Sequence, residues 1–100
     1  MFAIAVRFDL KDDESARKFD ALAEDALEGI KESEPETLVY AVHTVDGAPL
    51  ARLFYEVYTS PEAHAFHGAN ERTRAFLSQI DVLTSNIRDE FLGAPVGKLF

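Results

Sequence analysis

"TLVYAVHTVDGAPLARLFYEVY", residues 37–58, reads as two strands and a turn. Residues 37–45 and 50–58 are rich in Val, Leu, Phe and Tyr, the types that pack on a pleated surface. Asp46-Gly47 between them is a hairpin turn signal, lengthened beyond two residues by Ala48-Pro49. Leu38, Val39, Tyr40, Ala41 and Val42 run together, so the first half carries apolar groups on both faces of the pleat. Leu53, Phe54, Tyr55, Val57 and Tyr58 repeat the pattern in the second half. An antiparallel strand with one wet face alternates apolar and polar residues instead. This hairpin therefore needs cover on both sides, because each large apolar side chain left in water costs about 1.5–3 kcal/mol.

Outward from the hairpin, the periodicity supplies one cover. Residues 2–9, "FAIAVRFD", alternate Phe2, Ile4, Val6 and Phe8 with small or polar residues, the period of a strand. The carboxylates of "KDDE" suit a helix N-terminus, where they meet free amides and the positive end of the dipole. Ala16, Phe19, Leu22, Ala23, Ala26, Leu27 and Ile30 then draw one helical stripe that Pro35 ends. After the hairpin, Ser60 caps a second helix with Pro61 at its first position. That helix breaks near Gly68, and Asn70 caps its continuation, with Ala75, Phe76, Gln79, Ile80 and Leu83 inward. Residues 85–92, "SNIRDEFL", form a last strand, and the Gly- and Pro-rich tail ends in Leu99 and Phe100.

The order β-α-β-β-α-β predicts an α+β, ferredoxin-like domain over residues 1–100, with both helices on one face of a four-stranded antiparallel sheet. The helices hide only one face of the hairpin. A second copy of the sheet is the natural cover for the other, which makes the expected assembly a homodimer.

Composition narrows the function classes. A formal charge of −8, with ten scattered Lys and Arg, argues against nucleic acid and against an anionic membrane surface as partners. No stretch approaches the roughly 20 apolar residues of a membrane span. With no cysteine, neither a disulfide nor a thiolate metal site is available, which fits a reducing cytoplasm.

Chemistry-bearing residues gather in "YEVYTSPEAHAFH", residues 55–67. His64 and His67 are three apart on a helix and could be two metal ligands, but zinc or iron needs a third. His43 and Glu56 are the obvious suppliers and nothing in the sequence places them nearby, so the expectation is no metal. On a helical wheel His67 falls on the sheet-facing side with Ala63, Phe66 and Asn70, and His64 at its edge. His67 is then either a structural histidine bonded to a carbonyl or a proton acceptor in an apolar pocket, a task its intrinsic pKa of about 6.5 suits. Glu56, between Phe54 and Tyr58 on one strand face, is costly unless paired or lining a cavity. It is either an ion pair across the dimer interface, with Arg7, Arg52 or Arg88, or part of a pocket wall. Tyr40, Tyr55 and Tyr58 are core or interface aromatics whose hydroxyls can orient an aromatic ligand.

These residues carry a resemblance. Glu34-Pro35, Tyr40 with His43, Tyr55-Glu56-Val57-Tyr58, Glu62-Ala63 and His67 resemble the motifs of the antibiotic biosynthesis monooxygenase family, over about residues 2–92. The resemblance implies a dimeric α/β barrel with a ligand cavity in each subunit, between sheet and helices. It implies oxidation of a phenolic, hydroquinone or polyketide-like aromatic substrate by O2, with no metal or flavin cofactor. Carried over, His67 and Glu56 are the catalytic candidates, while Tyr40, His43, Tyr58, Phe66 and Asn70 would bind substrate. An isomerase or lyase acting on a small carbonyl compound needs the same base in the same cavity, and a non-catalytic ligand-binding dimer needs neither. The chain has no Trp, and Ala3 and Ala5 stand where heme-degrading relatives carry Asn, which sets heme degradation aside.

Overall fold

The computed structural model describes residues 1–99; Phe100 lies outside them. The elements follow the order β1 (Phe2–Leu10), α1 (Asp13–Ser33), β2 (Thr37–Val45), β3 (Ala48–Tyr58), α2 (Pro61–Ala69), α3 (Glu71–Asp81) and β4 (Thr84–Leu92). The four strands form one antiparallel sheet in the order β2-β3-β1-β4. This is the ferredoxin-like arrangement, with the second helix divided in two. Among the described residues no helix is long and apolar enough to cross a membrane.

The local signals act where the sequence puts them. Asp12 caps α1 by accepting from the Ser15 amide at 2.8 Å. The Ser60 hydroxyl accepts from the Ala63 amide to start α2, with Pro61 at its head. Asn70 is shared: its amide closes α2 onto the His67 carbonyl, and its Oδ1 accepts from the Arg72 amide to open α3. Among the described residues Gly47 alone has positive φ, at 78°, where the β2–β3 turn needs it.

The register decides which side chains meet. Ile4, Val6 and Phe8 stand beside Glu56, Phe54 and Arg52, and Tyr40 stands beside Glu56 on the other flank. This face packs on the helices: Phe8, Phe54 and Leu10 join Ala16, Phe19, Ala23, Phe76 and Ile80 in the main core. The rings of Phe8, Phe19 and Phe54 lie 5.0–5.8 Å apart in tilted and edge-on contacts. Ala75 and Gln79, expected inward on the continued second helix, are exposed, because Phe76 and Ile80 set the stripe that touches the sheet.

The opposite face carries Ala5, Val39, Ala41, Leu53 and Tyr55, half-buried, with no helix over them. Arg7–Asp9 and Arg88–Glu90 pairs edge it at 3.1 and 3.2 Å. On β4, Ile87 and Phe91 share the helix side of the sheet, yet both are exposed because the helices stop short of that strand. In the tail, Val96 and Leu99 are fully exposed.

Candidate active site

Five polar side chains meet between the sheet and the end of α2: Glu34, Tyr40, Glu56, Tyr58 and His67. Burying three ionisable groups this way is expensive unless each is hydrogen-bonded. Here each one is.

His67 comes from the last turn of α2 and is only 6% exposed. Its ring lies between two phenols, 5.4 Å from the Tyr40 centroid and 5.6 Å from that of Tyr58. Its Nδ1 is 2.7 Å from Oε1 of Glu34, itself 6% exposed. The Thr73 hydroxyl is also near Nδ1, at 3.5 Å, too far to compete. Nε2 has no hydrogen-bond partner among the described residues.

Glu56 is set on β3 by its register opposite Ile4 and Tyr40, which turns it toward the helices. The Tyr58 hydroxyl donates to its Oε1 at 2.5 Å, a link between alternate residues of one strand face. Burial pushes the Glu56 carboxyl above its ordinary value, and the Tyr58 hydrogen bond pulls it partly back. Burial, with the nearby Glu56 charge, pushes the phenols of Tyr40 and Tyr58 well above their ordinary range. Both phenols thus stay neutral at any ordinary pH, and that of Tyr58 serves as a donor to Glu56.

The interface ion pair considered for Glu56 is not what forms. Arg7 binds Asp9, Arg88 binds Glu90, and Arg52 makes a two-pronged contact with Asp20 at 2.8 and 3.0 Å. Glu56 faces the helices, opposite the uncovered side of the sheet.

Other sequence candidates fall in different places. His43 is exposed and projects from the opposite sheet face, since an odd spacing from Tyr40 on a strand reverses the side. Phe66 is 59% exposed and not inward beside His67: adjacent residues of a helix differ by about 100°, and the buried stripe runs through Ala63 and His67. Phe66 still forms one wall of a cavity of about 140 Å³, with Ser33, Glu34, Pro35, Glu36, Thr37 and Ala63. Asn70 spends its side chain on the α3 cap.

His64, expected at the edge of the sheet-facing side, packs among aromatic rings. It stacks on Phe2 at 4.5 Å and meets Tyr58 and Phe91 edge-on, and burial lowers its pKa. His64 and His67 thus serve different neighbours, and among the described residues no three His, Asp or Glu side chains are gathered as a metal requires.

The residue that the spacing arguments missed is Glu34. It follows the last turn of α1, where no periodicity assigns a face, and its only sequence signal was the Glu-Pro pair. A groove of about 320 Å³ between the end of α1 and β2 reaches both it and Tyr40, with Leu27, Ile30 and Leu38 as apolar walls.

The family model described as antibiotic biosynthesis monooxygenase matches residues 1–79, which include every member of this cluster. The chain belongs to that family. A Caulobacter crescentus structure, named as a candidate antibiotic biosynthesis monooxygenase, superposes with a TM-score of 0.88 at 20% identity, covering 94% of this chain and 89% of that one. A Deinococcus radiodurans structure of the same description gives 0.87 at 16% identity, over 100% and 98% of the two chains. A Mycobacterium tuberculosis protein gives 0.85 at 17%, over 97% and 96%. At these identities the likeness is one of fold. No curated protein matches the chain with significance.

Proposed function

We propose that the protein is a monooxygenase-like enzyme that oxidises a phenolic, hydroquinone or polyketide-like aromatic substrate with O2, with His67 as its proton acceptor. The observation that carries this is a buried histidine held between two phenol rings, bonded at Nδ1 and unpartnered at Nε2. Nε2 takes the proton of the substrate hydroxyl. The resulting anion is electron-rich enough to reduce O2; one oxygen atom enters the product as a carbonyl and the other leaves as water. Metal and flavin have no part in this scheme, as the family resemblance implies. Tyr40 and Tyr58, neutral because burial raises their pKa values, offer ring faces and a dry surrounding in which the anion's charge is felt strongly. Glu56 is the second buried acid-base group, and its raised pKa fits it to return a proton to the departing oxygen.

The functional unit in this reading is a homodimer joined through the uncovered sheet face, whose Val39, Leu53 and Tyr55 are otherwise left to water. The test of the chemistry is oxygen uptake with a panel of dihydroxynaphthalenes and anthrones. His67→Ala is expected to lower the rate about 10²–10⁴-fold. A variant that consumes oxygen as fast as the parent sinks the proposal.

A further inference from the structure

We propose that Glu34 is a positioning residue for His67, fixing the ring in the Nδ1–H tautomer so that Nε2 is the bare, proton-accepting nitrogen. This rests on the reading of His67 as the proton acceptor and assigns the control of that nitrogen to a residue 33 positions away.

The backbone of Glu34 is pinned from both sides. Its amide donates to the Ile30 carbonyl at 2.9 Å, finishing α1, and its carbonyl accepts from the Thr37 amide at 3.1 Å, starting β2. The side chain is pinned as well, because the Thr37 hydroxyl donates to the same Oε1 that faces His67, at 3.1 Å. Oε1 thus already accepts from the Thr37 hydroxyl, and a carboxylate oxygen accepts and never donates. A ring nitrogen 2.7 Å from it must therefore carry the hydrogen. The neutral imidazole has one N–H, so placing it on Nδ1 strips Nε2.

His67 is held from its own side. The Asn70 amide donates to the His67 carbonyl at 3.2 Å, and the Ser60 and Pro61 start of α2 fixes the helix that carries it. Both partners are more than nine-tenths buried, so water does not replace either one. When Nε2 accepts a proton, the imidazolium forms next to a carboxylate already in place. That is the second service of the pair, beyond orientation.

The experiment is long-range 1H–15N spectroscopy of the His67 ring in the full chain at pH 8, beside oxygen uptake with the hydroquinone panel. The parent is expected to show a protonated Nδ1 and a bare Nε2. Glu34→Gln substitutes an amide that donates as readily as it accepts, and the Nε2–H form is expected to appear. Its kcat should fall about 10–100-fold with KM within about twofold. Glu34→Ala should show the same tautomer change; if it does not fold, the Gln variant carries the test alone.

An Nε2–H ring in the parent, or a Glu34→Gln ring still wholly Nδ1–H with kcat unchanged, overturns the inference. If the tautomer follows Glu34 while His67→Ala keeps the parent's oxygen uptake, control of the ring by Glu34 stands. The proposed oxidation then fails.

Discussion

Removing the Tyr58 hydroxyl isolates the energetics of the buried cluster. Tyr58→Phe keeps the ring that packs against Ile4 and Ala63 and deletes only the donor to Glu56. The cost depends on whether Glu56 is charged when its partner goes. Burial holds the Glu56 carboxyl above its ordinary value of about 4.5, so the folded chain keeps this proton more tightly than the unfolded one. Its contribution to stability is then complete below about pH 4.5 and declines as pH rises through the raised folded value. The Tyr58 hydrogen bond is the largest influence opposing that rise, and its loss moves the folded value further up.

Where Glu56 is protonated, the variant loses one neutral hydrogen bond, about 1 kcal/mol. Where Glu56 is ionised, the variant holds a buried carboxylate oxygen without its donor, at a cost of about 3 kcal/mol. In a domain of this size 1 kcal/mol moves Tm by about 4–8 °C. The expected loss in Tm is therefore about 4–8 °C while Glu56 is protonated and about three times that once it is ionised, so the cost grows as pH rises. Urea melts of parent and variant at pH 5, 6.5 and 8, followed by far-UV circular dichroism, measure the difference. An equal cost at both ends of that range, or one below about 0.5 kcal/mol throughout, refutes the reasoning.

Two further predictions concern other parts of the molecule. Gly29 lies in the interior of α1, where Ala is favoured by about 1 kcal/mol, but a Cβ there would overlap the Arg72 side chain. Gly29→Ala should accordingly stabilise an Arg72→Ala background by about 1 kcal/mol and help the parent less; equal effects in the two backgrounds, read from urea melts, would count against the contact. Leu53→Glu puts a charge on the uncovered sheet face and should halve the mass seen by sedimentation at micromolar concentration while leaving the helical signal intact. An unchanged mass removes that face from the assembly.

The sheet was legible because its signals are periodic. Alternation in residues 2–9 and the two apolar runs around Asp46-Gly47 place β1, β2 and β3 within two residues of their observed ends. The step pattern of Phe19, Ala23 and Ile30 identifies the buried face of α1. Within the site, His67 followed from the wheel, but Phe66 did not. A helix of nine residues offers only about two and a half turns, so a residue about 60° from the reference can lie on either side of the boundary. His43 was misread for a simpler reason, since its odd spacing from Tyr40 already put it on the other face. Glu34 was beyond reach of any periodicity. Its direction comes from the turn that joins α1 to β2, and its partner arrives from a helix 33 residues later.

The sheet order carries a consequence for biosynthesis. β1 is made first, yet it sits inside the sheet, with β3 on one edge and β4, ending at Leu92, on the other. An emerging chain can close the β2–β3 hairpin locally and add β1 to it across α1. The last edge of β1 stays open until residue 92 has cleared the ribosome, at a pace of roughly 5–20 residues per second. During that interval the nascent chain exposes a ready-made template for strand pairing. Neighbouring chains on one polysome are therefore the first partners that edge can meet.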